Sequence, residues 1–299
     1  MTRPPKQSAS RRQSSAPAAQ PPTVSPRWLL AAFALTLCAA ALCGYAALCL
    51  LFYQGQWQFL FHPSHTITTT PATAGLAFDD IRFDVTDAGL SRLDGWWIPA
   101  TSGAPYAAGT ILYLHDARGS LSGSIPALAA LHNLGINVFA IDYQGFGRSA
   151  GSHPTARLAT ENSIAAFAWL TDTRHISPRS IVVCGDGVGA TFAAHLAAFF
   201  APAGVILQDP NPPARQIFLQ DARARILPLF LLQKEKLDPA ADLVRAHIPR
   251  LFLDRHGDSA RTRQLFHASS DPKEYFDLRA ASPSFIDSAL RRFLDEVLR

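Results

Sequence analysis

The sequence predicts an α/β protein: a doubly wound, mostly parallel sheet carried behind one N-terminal transmembrane helix. Three observations predict it. From residue 110 to the C-terminus, short apolar runs rich in β-branched residues alternate with longer helical stretches. Those runs are apolar at nearly every position, as strands covered by helices on both faces are, and do not alternate inside and outside. Residues 28–53 (WLLAAFALTLCAAALCGYAALCLLFY) form a stretch of 26 residues without a charge, set before the alternation begins. Right-handed crossovers then wind the sheet in two directions, and ligands bind at the carboxyl ends of its strands.

The elements follow in order. Residues 78–86 and 92–98 read as a hairpin, and 110–115 (TILYLH) as a buried strand. A helix is expected over 120–134, then a strand over 137–142 (NVFAID) leading into a glycine-rich turn, QGFGRS. An amphipathic helix covers 156–172, a strand 180–184 (SIVVC), an apolar helix 188–200 and a strand 204–209 (GVILQD). A proline-rich, cap-like excursion, about 210–248, interrupts the alternation. Strand 250–254, helix 259–269, strand 274–279 and helix 284–298 complete it. The loops at the strand ends are 115–120, 143–153, 184–189, 209–215 and 254–260, and the chemistry is expected there.

The chain has 299 residues, 48% apolar and 17% charged, which excludes a disordered or collagen-like chain. Its net charge of +4 belongs to the N-terminus. Residues 1–27 carry Arg3, Lys6, Arg11, Arg12 and Arg27 and no acid, while residues 28–299 hold 22 basic and 23 acidic residues. A folded part without a basic excess offers no nucleic-acid face. Residues 1–27, rich in Pro, Ser, Ala and Gln, read as a disordered tail.

Residues 28–53 span about 39 Å as a helix, more than the ~30 Å of a bilayer core. Trp28, Phe52, Tyr53 and Trp57 bracket them as interface anchors do. A cleaved signal peptide has an apolar core of only ~7–15 residues, so an uncleaved signal anchor is expected. Leu directly precedes Cys38, Cys43 and Cys49, which does not fit a lipobox. The five positive charges place the N-terminus in the cytoplasm and residues 54–299, the folded domain, outside it. Arginine outnumbers lysine 23 to 4, which suggests a GC-rich bacterial genome and, in a Gram-negative cell, a periplasmic domain.

Cys184 is alone in the domain, so no internal disulfide is expected, and no CxxC pair exists. His62 and His65 lack further ligands nearby, so no metal is expected. GFGRS (145–149) and GDGVG (185–189) are not dinucleotide loops, since neither is a GxGxxG opening a helix after the first strand. No cofactor is expected.

In order and spacing, WQFLFHPS, GWWIPA, TILYLH, INVFAIDYQGFGRSAGSHP, SIVVCGDGVG, GVILQDP, IPRLFLDRHGD and DPKEYFDL resemble the α/β-hydrolase superfamily. The closest likeness is to its membrane-anchored α/β-hydrolase-domain proteins, over roughly residues 53–299. The resemblance implies the α/β-hydrolase fold and a serine–histidine–acid triad with an oxyanion hole. It places the nucleophile at the tip of Gly185-Asp186-Gly187-Val188-Gly189, where this chain has Gly187. Cys184 and Asp186 flank that position and do not replace it. The acid position falls on Asp258, which reads equally well as a helix cap. The base position falls on Ser282, and no histidine follows His267. The oxyanion loop reads His115-Asp116-Ala117-Arg118-Gly119-Ser120. Asp116 would bring a carboxylate to where negative charge develops, with Arg118 as its possible partner. The pocket and oxyanion loop are thus expected to hold His115, Asp116, Asp186, Val188 and His256.

An intact scaffold with an emptied triad predicts a non-catalytic, membrane-anchored hydrolase-like protein that binds a small-molecule or protein ligand. The alternative is an active hydrolase of carboxylic esters or thioesters with a relocated constellation, drawing on His256, His153, His115 or Asp186. A third reading makes the protein a membrane-side assembly factor. In it PLFLLQ (228–233) meets a lipid or protein partner instead of packing over the strand ends.

Overall fold

The computed structural model describes residues 25–85, 89–255, 260–279 and 281–298. The chain divides into two compact units, Met1–Leu48 and Cys49–Arg299. The described part of the first unit belongs to helix α1, Pro26–Gly55, whose 30 residues give a length of about 45 Å. It is long and apolar enough to cross a membrane. Its last turns, from Cys49, belong to the second unit. There Phe52 packs edge-on against Phe218 at 5.3 Å between ring centroids.

The second unit is built on one eight-stranded sheet. Its strands are β1 (Asp79–Val85), β2 (Ser91–Ile98), β3 (Tyr106–Leu114), β4 (Ile136–Asp142), β5 (Ile181–Asp186), β6 (Gly204–Gln208), β7 (Arg250–Asp254) and β8 (Lys273–Asp277). Their order across the sheet is β1-β2-β4-β3-β5-β6-β7-β8. β2 is antiparallel to both its neighbours, and every other pairing is parallel. The expected hairpin is β1–β2, and the expected mostly parallel sheet is present.

Helices α2 (Ile125–His132), α3 (Ala156–Ala168), α4 (Gly189–Phe200), α5 (Ala260–Ala268) and α6 (Pro283–Leu298) connect or follow the strands. Side chains alternate between the sheet's faces. Ile111 and Tyr113 of β3, Val138 and Ala140 of β4, and Val182 and Cys184 of β5 share one apolar cluster with Leu128 of α2 and Phe293 of α6. α3 contacts β3, and α4 contacts β5 and β6.

Most boundaries fall within one or two residues of the sequence reading, and three differences are local irregularities. β3 starts at Tyr106, with a register irregularity before Thr110. The helix expected from residue 120 begins as a 3-10 turn, Leu121–Ser124, and becomes α-helical where Pro126 can sit in the first turn. α3 ends in one wide turn of π type, Trp169–Thr173.

The excursion after β6 contains only short helices, Ala214–Phe218, Leu229–Leu232 and Ala240–Arg245, with a 3-10 turn at Ala224–Ile226, which suits a segment punctuated by proline. Gln56, fully buried just after α1, secures its middle. The Gln56 amide donates to the Leu232 carbonyl at 2.7 Å and accepts from the Lys234 and Glu235 amides at 3.0 and 3.3 Å.

The chain leaves β3 for β4 on one side, then returns past β3 to β5 on the other. The carboxyl ends of β3 and β5 therefore form the switch point of the sheet, where a crevice opens.

Candidate active site

At that switch point β5 turns sharply into α4. Gly187 sits at the tip with φ +56°, a left-handed conformation that suits glycine. Its amide donates to the Gln208 carbonyl of β6 at 2.9 Å, which holds the turn against the neighbouring strand. Gly189 starts α4 so close to β3 that a Cβ would lie 2.1 Å from the Leu114 carbonyl oxygen. This is the strand–turn–helix elbow that places a residue above the sheet.

The residue above the elbow is Asp116, from the loop after β3. A Cβ built on Gly187 would lie 2.0 Å from Asp116 Oδ1. That same oxygen accepts the Val188 amide at 3.0 Å and sits 3.5 Å from Asn211 Nδ2. A carboxylate at the first amides of a helix is also favoured by the helix dipole. The expected partnership with Arg118 does not form. Arg118 instead pairs through its backbone with His62 in a two-residue bridge, and its side chain is exposed.

Asp186 ends β5 and meets Arg255, whose Nη2 lies 2.7 Å from Asp186 Oδ1. Arg255 Nε lies 2.6 Å from Asp209 Oδ2, and the Arg255 amide donates to Asp209 Oδ1 at 2.9 Å. One guanidinium thus ties together the tips of β5, β6 and β7. Burial pushes the Asp186 carboxyl up to about 6, against the pull of Arg255 and with help from Asp116 and Asp209. Asp116, Asp186, Gly187, Asp209, Asn211 and Arg255 line a hollow of about 250 Å³. Cys184 is buried in the core, and burial pushes its thiol above the ordinary range.

Two of the sequence-predicted histidines, His115 and His153, are not brought to this hollow. His115 is buried, 4.5 Å from the Tyr143 ring and 5.0 Å from the Phe146 ring. Its Nδ1 lies 2.6 Å from the Asp116 carbonyl, so Nδ1 carries the proton and Nε2 faces Asp142 Oδ1 at 3.5 Å. Burial lowers its pKa to about 4, so the ring is neutral and structural. His153 stacks on Trp57 at 5.1 Å and contacts the Ser152 hydroxyl. Ser282 accepts the Phe285 amide at 3.2 Å and shares a hydrogen bond with the Ser284 hydroxyl, so it works at the start of α6. His256 and Asp258 lie outside the described residues. Among the described residues, no group of three or more His, Cys, Asp or Glu is placed to hold a metal ion.

Asp142 and His115 oppose each other in pH dependence. Burial raises Asp142 to about 7, although it accepts the Leu121 amide at 2.9 Å. The folded protein then binds more protons there than the unfolded chain between about pH 4 and pH 7, so this contribution falls as pH rises. His115, lowered to about 4, gives a contribution that rises from about pH 4 to about pH 6.5. Asp142→Asn keeps an oxygen for Leu121 and removes the ionisation. Relative to wild type, its stability should gain as much as about 4 kcal/mol between pH 4 and pH 7. Urea unfolding across that range checks this.

The sequence reading missed a second arrangement. His195 of α4 directs Nδ1 to Asp242 Oδ2 of the excursion at 3.1 Å. Thr191, one helical turn earlier, lines the same cavity of about 620 Å³ between α4 and the excursion. Thr191 and His195 are four apart on an apolar helix, which was the available signal. Asp242 lies 47 residues on, and nothing local links it to them.

No family model matches the chain. An uncharacterized protein of Mycobacterium tuberculosis is 27% identical over 256 residues, covering 81% of this chain and 88% of that protein. Human α/β hydrolase domain-containing protein 17B is 28% identical over 123 residues, 40% of this chain and 42% of its own length. Among solved structures, a Pyrococcus furiosus esterase superposes with a TM-score of 0.61 at 18% identity, covering 80% of this chain and 99% of the esterase.

Proposed function

We propose that this chain, an α/β-hydrolase-fold protein, is a membrane-anchored pseudo-hydrolase that binds a ligand or partner without turning it over. Asp116 carries the reading. A serine hydrolase of this fold needs the space above the elbow tip for its nucleophile, and the amide of the next residue for the oxyanion. Here the tip is Gly187, and the Val188 amide already holds the Asp116 carboxylate. Two like charges ~4 Å apart repel by about 4 kcal/mol in a poorly screened site. An oxyanion formed there would be opposed, not stabilised. The remaining triad positions are Ser282, bound at the start of α6, and Asp258.

The anchor is residues 28–53, with the N-terminus cytoplasmic and the domain extracytoplasmic, in the periplasm of a Gram-negative cell. The ligand site is the cavity beside His195, whose volume lies in the ~300–1,000 Å³ range of small-molecule sites. The full chain in lipid nanodiscs, given a fluorophosphonate probe and a panel of aryl esters and acyl thioesters, should show no labelling and no turnover above buffer. Sustained turnover that a cavity substitution abolishes sinks the proposal.

One observation favours the second reading, an ester or thioester hydrolase with a non-standard constellation. The His195–Asp242 pair has the geometry of a base held by an acid, and Thr191 lines the same cavity. His195→Gln separates the two readings, because only the second loses a turnover.

A further inference from the structure

We propose that the loop around Phe230 is a second membrane contact, seated in the headgroup region of an anionic bilayer beside the exit of α1. The inference rests on the reading of residues 28–53 as a membrane anchor.

The segment Ile226–Leu232 (ILPLFLL) divides its apolar side chains between two directions. Leu227 and Leu229 are buried. Phe230 and Leu231, the next two residues, are 90% and 72% exposed, and Ile226 is 63% exposed. Only one side of this segment is therefore packed against the domain. Its buried leucines hold a short helix, Leu229–Leu232, whose outer side presents an aromatic and an aliphatic side chain to the surroundings. Folding of the domain gives no reason for that exposure.

The position of the loop indicates what covers it. Leu232, Lys234 and Glu235 are hydrogen-bonded to Gln56, three residues beyond the last aromatic of the apolar stretch, Tyr53. Lys234 Nζ lies 4.7 Å from the centre of the Tyr53 ring. Gln56, Tyr53 and the loop belong to the same compact unit. The exposed side chains are therefore secured where the anchoring helix leaves the bilayer, and the patch is continuous with that contact.

The charges around the loop favour lipid over protein. Residues 213–236 contain Arg215, Arg223, Arg225, Lys234 and Lys236 against only Asp221 and Glu235. Arg215 and Lys236 line the cavity beside His195 and Arg223 pairs with Asp221, so Arg225 and Lys234 carry the excess beside the loop. Glu235 is buried and accepts the Ala156 amide, so it adds little to the outer face. An apolar tip flanked by lysine and arginine matches an interfacial anchor on anionic headgroups.

The test uses the full chain in phosphatidylcholine–phosphatidylglycerol vesicles. Single-cysteine forms carry an environment-sensitive fluorophore at Phe230→Cys, at Phe285→Cys as an exposed control, or at native Cys43 inside the anchor. The other native cysteines are changed to alanine. Phe230 is almost wholly exposed, so its replacement leaves the core intact. The label at 230 should emit in the blue. A nitroxide near the headgroup end of the acyl chain should quench it about threefold more strongly than the label at 285, as burial ~5–10 Å into the interface requires. A label at 230 that reads as aqueous, while Cys43 is quenched, overturns the proposal and leaves the anchor standing. A blue-shifted label at 230 without lipid quenching also overturns it, because a protein surface or second copy then covers the loop. An aqueous reading at Cys43 removes the anchor and this proposal with it.

Discussion

Serine placed at position 187 is expected to stay inert until Asp116 is shortened. Gly187→Ser combined with Ser282→His restores the residue types that the hydrolase resemblance implies, yet the added Cβ lands 2.0 Å from Asp116 Oδ1 and 2.4 Å from its Cγ. Either the loop after β3 or the elbow must move. Even then the Val188 amide remains bound to a carboxylate. Adding Asp116→Gly clears both obstacles. One freed oxyanion donor changes acyl-transfer rates by about 10²–10³-fold. Triad members act as a unit, so partial restoration should look nearly as dead as none. The double variant should therefore take up no fluorophosphonate, and the triple variant should acquire one covalent adduct visible by intact mass. Losing the Ser282 cap of α6 costs about 1 kcal/mol in both, so the comparison between them is fair. Labelling of the double variant at the triple variant's rate would show that Asp116 does not obstruct the site.

That Gly187 and Asp116 share one site was legible through the α/β-hydrolase resemblance, which puts one at the elbow tip and the other on the oxyanion loop. That a side chain at 187 would meet the Asp116 carboxylate was not legible, because it depends on the direction Asp116 takes above the elbow. The strands were legible from the residues themselves. Continuous apolar runs between turn residues have few alternatives once they alternate with helices. What escaped was everything set by side-chain direction. Arg118 is two residues from Asp116, but its backbone pairs with His62 and turns the side chain away. His115 borders the oxyanion loop yet points into the core, where Tyr143 and Phe146 enclose it. His153 finds Trp57, nearly a hundred residues earlier, as a stacking partner. Arg255 joins three strand tips through residues 46 and 69 positions away, a link no local pattern announces.

Loss of the Arg250 guanidinium should cost a large share of the domain's stability. It is 1% exposed at the start of β7, and its guanidinium points back into the excursion. It donates to the Leu243 carbonyl at 2.7 Å, to the Ala246 carbonyl, and to the Ile248 carbonyl at 3.2 Å. These acceptors follow the short helix Ala240–Arg245 or close it. Burial pulls the guanidinium's pKa down, but its ordinary value is so high that the charge persists. Arg250→Met fills the space of the stem and leaves three buried carbonyls without a donor. The expected loss is about 3–5 kcal/mol. Arg250→Lys should recover only part of it, because an ammonium cannot fork to three acceptors in the guanidinium plane. Urea unfolding of the full chain in detergent should rank wild type above lysine and lysine above methionine. A methionine variant within about 1 kcal/mol of wild type would mean that water satisfies the carbonyls. The consequence reaches the cavity, because the same helix carries Asp242, the partner of His195. With its C-terminal end released, that pair should loosen before the sheet does, so ligand binding in the cavity should fall at urea concentrations where the sheet is still folded.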